Sequence, residues 1–327
     1  MSWCASRPLV FSTIVVIASG CAQLSPTLPG QPYAGSSQVP ARPAAHFYGY
    51  DLVYASQPAG NDIVVYKRKK NGLELTLLET FSAGLSAPMG MVATPNGRLY
   101  VANSGASDVL VYRTTRHGPL GPNATLDDAG EVPVNVAVTG DQRVVAVSNA
   151  SATNGGAGSV SVYLKKQLQP ARILTYGNGR VQGAGVAIDA SGNCYWSFND
   201  PATLTGSIVE FAGCKGTGAP FKSGILKAGG MAFDSSGDLY YVDQLAGVYR
   251  CAGTSASCAL FTPIGGVLGL LLPSNINFDD SVPSNLWVAD AAGYIDALNV
   301  QGLIAYLLQT VGGVLDPPFG IAPAPGS

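Results

Sequence analysis

The chain has 327 residues, of which 47% are hydrophobic and only 12% charged, with a net charge of −2. That length and apolar content can bury a large core in one large or two ordinary domains. The near-neutral balance lacks the basic footprint of a nucleic-acid binder, so no nucleic-acid partner is expected.

Residues 9–19 (LVFSTIVVIAS) form an apolar or small stretch behind a single positive charge, Arg7. The stretch is shorter than the roughly 20 residues a membrane span needs, and it fits the core of an export signal over residues 1–20. It runs into Ala18-Ser19-Gly20-Cys21, which resembles a bacterial lipobox, although that pattern usually carries Leu where Ala18 stands. The resemblance implies acylation of Cys21, anchoring to a membrane, and, with Ala22 rather than Asp next, onward sorting to an outer membrane or cell surface. A plain secretory signal and a retained membrane anchor are the other readings. Residues 21–48 are rich in Pro, Gly, Ser, Ala and Gln without apolar periodicity, as in an extended linker.

From residue 49 onward one phrase recurs: MGMVATPNGRLYVAN from Met89, VNVAVTGDQRVVAVSN from Val134, AGVAIDASGNCYWSFN from Ala184, GGMAFDSSGDLYYVDQ from Gly229 and SNINFDDSVPSNLWVAD from Ser274. A truncated copy, FGIAPAP, begins at Phe319. Aligned on the apolar residue after the Gly or Asn, the copies start at Met91, Val136, Val186, Met231, Ile276 and Ile321, at intervals of 45 residues and once 50. A period of this length with several short strands per unit is the mark of a β-propeller. Each unit offers an inner strand, a second strand after a turn such as Pro95-Asn96-Gly97, a third strand (IVVYKR at Ile63, VLVYR at Val109, SVSVYL at Ser159) and an outer edge strand. Alternation in the third strands suggests half-buried strands. The first unit, at Asp51–Ser56, has a second strand but no inner one, and the C-terminal Phe319–Ala324 supplies the missing piece. The expected fold is all-β: a six-bladed β-propeller over residues 49–327 with four-stranded antiparallel blades, closed by the C-terminal strand.

Of six cysteines, Cys4 belongs to the signal and Cys21 to the lipid site. Cys194 and Cys214 fall on strands expected to be antiparallel neighbours, and Cys251 and Cys258 flank a short small-residue segment at a strand end. Two disulfides in an oxidising compartment are expected; no Cys-x-x-Cys pair points to a metal.

The phrase "G-apolar-A-apolar-D, turn, G-N-L-Y-V-A-D" resembles NHL repeats, best in Gly185–Trp196 and Gly230–Asp243, and shades into the SMP-30/gluconolactonase propellers. The resemblance implies the fold far more than an activity. Three-histidine lyase relatives are set aside because this chain has only His46 and His117. Gluconolactonase-like relatives hold a divalent cation with Asn or Asp just before the inner-strand Gly. Here those positions are Met89, Val134, Ala184, Gly229, Ser274 and Phe319. Asn135 and Asn275 occupy the Gly slot itself and are expected to face elsewhere. No catalytic residue, metal ligand or cofactor is implied. The basic run Lys67–Lys70 reads as a solvated turn or an anionic contact.

One polar set remains: Ser56, Asn103, Asn149, Asn199, Asp243 and Asp290 end the second strands, one per blade. Such residues hold the adjoining turn, or they ring the channel mouth as a ligand site. The aromatic residues Tyr100, Tyr195, Trp196, Tyr240, Tyr241 and Trp287 on the same strands are expected to pack between blades. Two functions follow: a lipid-anchored extracytoplasmic module binding an envelope protein, peptide or glycan, or a divalent-cation-dependent hydrolase or lactonase.

Overall fold

The computed structural model describes residues 52–68, 75–177, 180–263, 270–279, 285–301, 304–312 and 318–324. The signal segment, Cys21, the linker, His46 and Lys69–Lys70 lie outside them.

Twenty-four strands among the described residues form six four-stranded antiparallel sheets. Blade one contains β24 (Ile321–Pro323), β1 (Leu52–Gln57), β2 (Asp62–Arg68) and β3 (Leu75–Phe81), from the axis outward. Blade two is β4 (Pro88–Thr94), β5 (Arg98–Asn103), β6 (Asp108–Thr115) and β7 (Gly118–Asp127). Blade three is β8 (Glu131–Val138), β9 (Val144–Ala152), β10 (Ser159–Leu164) and β11 (Arg172–Leu174). Blade four is β12 (Gln182–Ile188), β13 (Cys194–Asp200), β14 (Thr205–Phe211) and β15 (Ala219–Ile225). Blade five is β16 (Ala228–Phe233), β17 (Leu239–Asp243), β18 (Gly247–Cys251) and β19 (Cys258–Pro263). Blade six is β20 (Pro273–Phe278), β21 (Asn285–Asp290), β22 (Tyr294–Gln301) and β23 (Ile304–Gly312).

The ring closes where the sequence leaves a gap. β24 lies antiparallel to β1, with Val53 opposite Pro323, Tyr54 opposite Ala322 and Ala55 opposite Ile321. The Gly320 N–H donates to Ser56 Oγ at 2.8 Å, and the Ser56 hydroxyl donates to the Met89 carbonyl at 2.7 Å, tying blade one to blade two.

The core is a set of layers between blades. Tyr54 and Ile63 pack against Leu99 and Val101 between blades one and two. Trp196 meets Val160 between three and four, Tyr195 meets Tyr241 between four and five, and Trp287 meets Val53 between six and one. The aromatic residues of the second strands are buried at these interfaces, as their position in the phrase predicts. The inner three strands are buried on both faces: β1 and β21 are buried throughout, and β2 is buried from Ile63 to Tyr66. Alternation therefore misled: a blade sandwiched between neighbours has no solvent face, so near-continuous apolar runs are what its strands need.

The Asp that closes the inner-strand phrase caps the turn to the second strand. Asp189 Oδ1 accepts from Ser191 and Asn193 N–H groups, and Asp234 Oδ1 from Ser236 and Asp238. In blade six the equivalent Asp279 accepts from the Asn285 N–H at 2.8 Å and Trp287 Nε1 at 3.1 Å. It also pairs with Arg68 of blade one at 2.5 Å, its own side chain fully buried. Arg68 thus leaves the basic run to join a buried ion pair across the closing interface, where a solvated turn or an anionic contact was expected.

Both disulfides form. Cys251 and Cys258 are direct cross-strand partners. Cys194 opposes Phe211, and Cys214 reaches it from a single 3-10 turn after β14, not from the strand itself.

Two measurements test this architecture. Removing residues 316–327 should abolish cooperative unfolding, since blade one then loses its inner strand and both interfaces open; an unchanged melting curve would disprove the closure. Replacing Cys194 and Cys214 together by serine should cost roughly 3 kcal/mol in denaturant melts, and replacing Cys251 and Cys258 less, because the closed loop is shorter.

Candidate functional site

All six inner strands run the same way about the axis, and the residue before the aligned apolar one is where they come closest. A Cβ on Gly90 would sit 2.9 Å from the Cα of Asn135, one on Gly185 the same distance from Gly230, and one on Gly230 the same from Asn275. Gly320 stands in the same relation to Gly90. Glycine is needed here because backbone meets backbone.

Beyond this constriction the axis opens into a small channel of about 120 Å³, lined by the inner strands of blades two to six. Its walls are Met91, Val136, Val186, Met231 and Ile276 with the residues that follow each, and three amides: Asn135, Asn275 and Asn277. Asn135 and Asn275 come from opposite blades and are buried. The Asn277 amide reaches across blade one, donating to the Met91 carbonyl at 3.4 Å. The expectation that Asn135 and Asn275 face elsewhere is corrected: the Gly slot itself looks onto the axis, while Met89, Val134, Ala184, Gly229 and Ser274 do not line the channel. Ser274 instead donates across the interface, toward the Phe319 carbonyl at 3.1 Å.

The polar residues at the ends of the second strands lie outside this channel. Asp290 is fully buried, and its carboxylate accepts from the N–H groups of Leu271 (2.6 Å), Leu272 (2.9 Å) and Ala292 (2.8 Å). Asp243 does the same with Leu226, Lys227 and Leu245, at 2.8, 3.1 and 3.1 Å. Asn103 accepts from the Ser86 N–H at 2.6 Å and donates to Asp108 at 2.8 Å. Burial pushes the Asp108 carboxyl above its ordinary range, partly offset by that hydrogen bond. Asn199 holds the N–H and carbonyl of Ala228 at 2.8 and 3.1 Å, bridging blade four to blade five. Asn149 donates to Ser159 and Ser161, both at 3.0 Å.

Among the described residues no group of three or more His, Cys, Asp or Glu side chains is placed to hold a metal, and no helix is long and apolar enough to cross a membrane. His117 is exposed on the β6–β7 turn, accepting from Arg116 Nε at 2.9 Å. Sequence reasoning overlooked Asn277 altogether; its place two residues after Asn275, on the axis-facing alternation of one strand, is the signal that finds it.

Fold and channel together define a closed six-bladed β-propeller with a small, uncharged axial cavity onto which three amides open. A candidate 6-phosphogluconolactonase of Bacteroides fragilis has the same kind of fold, with a TM-score of 0.56 at 13% identity over 83% of this chain and 97% of that one. A candidate 6-phosphogluconolactonase of Bacteroides uniformis gives 0.53 at 12% identity, covering 83% and 84%. A functionally unknown protein of Desulfotomaculum acetoxidans gives 0.52 at 13%, with the same coverage. No protein-family model matches the chain, and no curated protein matches it in sequence.

The strand-end carboxylates yield a stability test. Asp290→Ala removes the shared acceptor of three backbone N–H groups and should cost roughly 1–3 kcal/mol; thermal or denaturant melts read this directly, and a loss under 1 kcal/mol would show that the carboxylate is not needed to hold its loop.

Proposed function

We propose that the chain is an extracytoplasmic binding module of NHL-like type, tethered through an acylated Cys21 and residues 21–48, whose propeller captures a protein, peptide or glycan of the cell envelope. The observation that carries this reading is the lining of the axial channel. The exposed lining is largely polar yet uncharged, with the amides of Asn135, Asn275 and Asn277 among its groups, and Val92, Val138, Ile188 and Phe233 add apolar contact. Such a surface suits a neutral group with both hydrogen-bonding and apolar parts, a peptide backbone or a sugar ring. Side chains of this kind hold a ligand still; they do not move protons. The two disulfides agree with an oxidising compartment outside the cytoplasm.

The hydrolase or lactonase reading draws on the likeness to the two Bacteroides proteins, and at 12–13% identity that likeness speaks for the fold. The strand-end carboxylates of Asp243 and Asp290, which such chemistry would want free, are committed to backbone N–H groups.

Two experiments test the proposal. Metabolic labelling with palmitate should mark the wild-type protein and fail on Cys21→Ser. A panel of neutral oligosaccharides and short peptides, titrated onto the purified protein, should yield a saturable ligand whose affinity falls at least about tenfold in Asn277→Leu, as expected for a lost buried amide contact of 1.4 kcal/mol or more. Saturable binding that Asn277→Leu leaves unchanged would place the ligand elsewhere and overturn the channel assignment.

A further inference from the structure

One corner of blade three departs from an arrangement that blades two, five and six share. In blades two, five and six the polar residue ending the second strand accepts from the N–H five residues before the aligned apolar residue. These pairs are Asn103 with Ser86 at 2.6 Å, Asp243 with Leu226 at 2.8 Å and Asp290 with Leu271 at 2.6 Å. Blade three carries Glu131 at that upstream position, and its N–H is spent on the Asp128 carbonyl at 3.0 Å. Asn149, the counterpart of the three acceptors, is fully buried, and its Oδ1 accepts nothing.

In place of N–H donors, the turn from Asp128 to Glu131 brings carboxylates. Asp128 is 1% exposed; its Oδ1 accepts from the Ser161 hydroxyl at 2.6 Å, and its Oδ2 has no partner. Ser161 in turn accepts from the Asn149 amide, so the two side chains meet on one hydroxyl. Glu131 Oε2 is likewise buried without a partner. Three acceptor oxygens thus stand where blades two, five and six put positive dipole, and a buried acceptor without a donor is costly. A shared proton can serve one pair and strands the third oxygen. A cation serves all three.

We propose that Asp128, Glu131 and the amide oxygen of Asn149 form a calcium site that ties the β7–β8 turn to the end of β9, the ion replacing the backbone donors that blades two, five and six supply. Two carboxylates and a neutral amide oxygen, completed by water, are the donor set of a hard cation that tolerates irregular geometry. Nearby Asp127 is not a ligand: its carboxylate accepts from the Ala129 N–H at 3.1 Å and the Gln169 amide at 2.6 Å. The site lies apart from the axial channel and stands independently of what the channel binds.

Calcium chloride titrated calorimetrically into chelator-stripped protein should show one site with a Kd near ~10⁻⁴ M, as in extracellular calcium modules. At about 10 mM calcium, roughly a hundredfold above that Kd, the melting temperature should rise by several degrees. Asp128→Asn and Glu131→Gln should each weaken binding at least about tenfold, the loss of one buried charged ligand, and remove the rise. Melting of the variants in chelator, compared with wild type, shows that they fold. Absence of both heat and a melting shift in the wild type would overturn the proposal. So would a shift that survives in Glu131→Gln, or an Asp128→Asn protein that melts higher than wild type equally with calcium and with chelator, which is the mark of a protonated Asp128.

Discussion

The structure depends on how closely six backbones can approach one another at the axis. A blade has no solvent face on its inner strands, so it is stable only when pressed between two neighbours. The taper toward the axis decides whether all six can be pressed at once. The glycines at 90, 185, 230 and 320 permit that approach, since any of them with a Cβ would meet the next blade's backbone. Closure then couples every interface to every other. With β24 paired to β1, the Trp287 layer between blades six and one is completed by Ile321, a residue 266 positions from the Ala55 it faces. A ring closed by a pairing of such sequence separation folds late and holds tightly, because the loop entropy is met only when the last interface forms.

Polar groups are placed by the same demand. Strand ends converge on turns whose N–H groups have no strand partner, and in blades two, five and six an Asn or Asp accepts from them. Asp279 is the extreme case: one buried carboxylate collects a backbone N–H, an indole N–H and the guanidinium of Arg68 from across the closing interface. A buried ion of this kind needs every one of its partners. The consequence for function is spatial. With the carboxylates of Asp243, Asp290 and Asp279 engaged in holding loops and turns, the surface left for a ligand on the axis is uncharged.

How much of this was legible follows from which features repeat. The period, the six blades, the closing strand and both disulfides could be read because each leaves a mark at fixed spacing. Single-residue placements could not, because the polar residue that ends the phrase does not stand at the same distance from the strand pairing in every copy. In blade four, counting from the pairing of Val186 with Trp196, Phe198 takes the place that Asn103 holds in blade two, and Asn199, one residue further on, bridges to Ala228. In blade one, counting from the pairing of Ala55 with Ile321, Gln57 is the counterpart of Asn103, and Ser56 belongs with Ser197. Both serines accept from their own inner-strand glycine N–H and donate to a carbonyl of the next blade. The strand-end set named from sequence is therefore two kinds of residue. Arg68 shows the same limit: nothing in KRKK says which of its charges turns inward to an Asp more than 200 residues away.

The Gly slot also sets where the axis can vary. Asn135 and Asn275 occupy it in opposite blades, and each folds its amide over the glycine of the preceding blade: a Cβ on Gly90 would meet Asn135 Nδ2, and one on Gly230 would meet Asn275 Oδ1. Each of these side chains thus stands over a bare Cα in the blade before it. Backbone approach alone bars a Cβ at Gly185 and Gly320, whose neighbours in the next blade are themselves glycine. This chain carries Asn at two of the six positions, a half-turn apart, so the channel floor presents two amides on opposite sides. Chemical variety on the axis is thus bounded by how closely neighbouring blades approach, and a ligand entering this channel meets the two positions that carry a side chain.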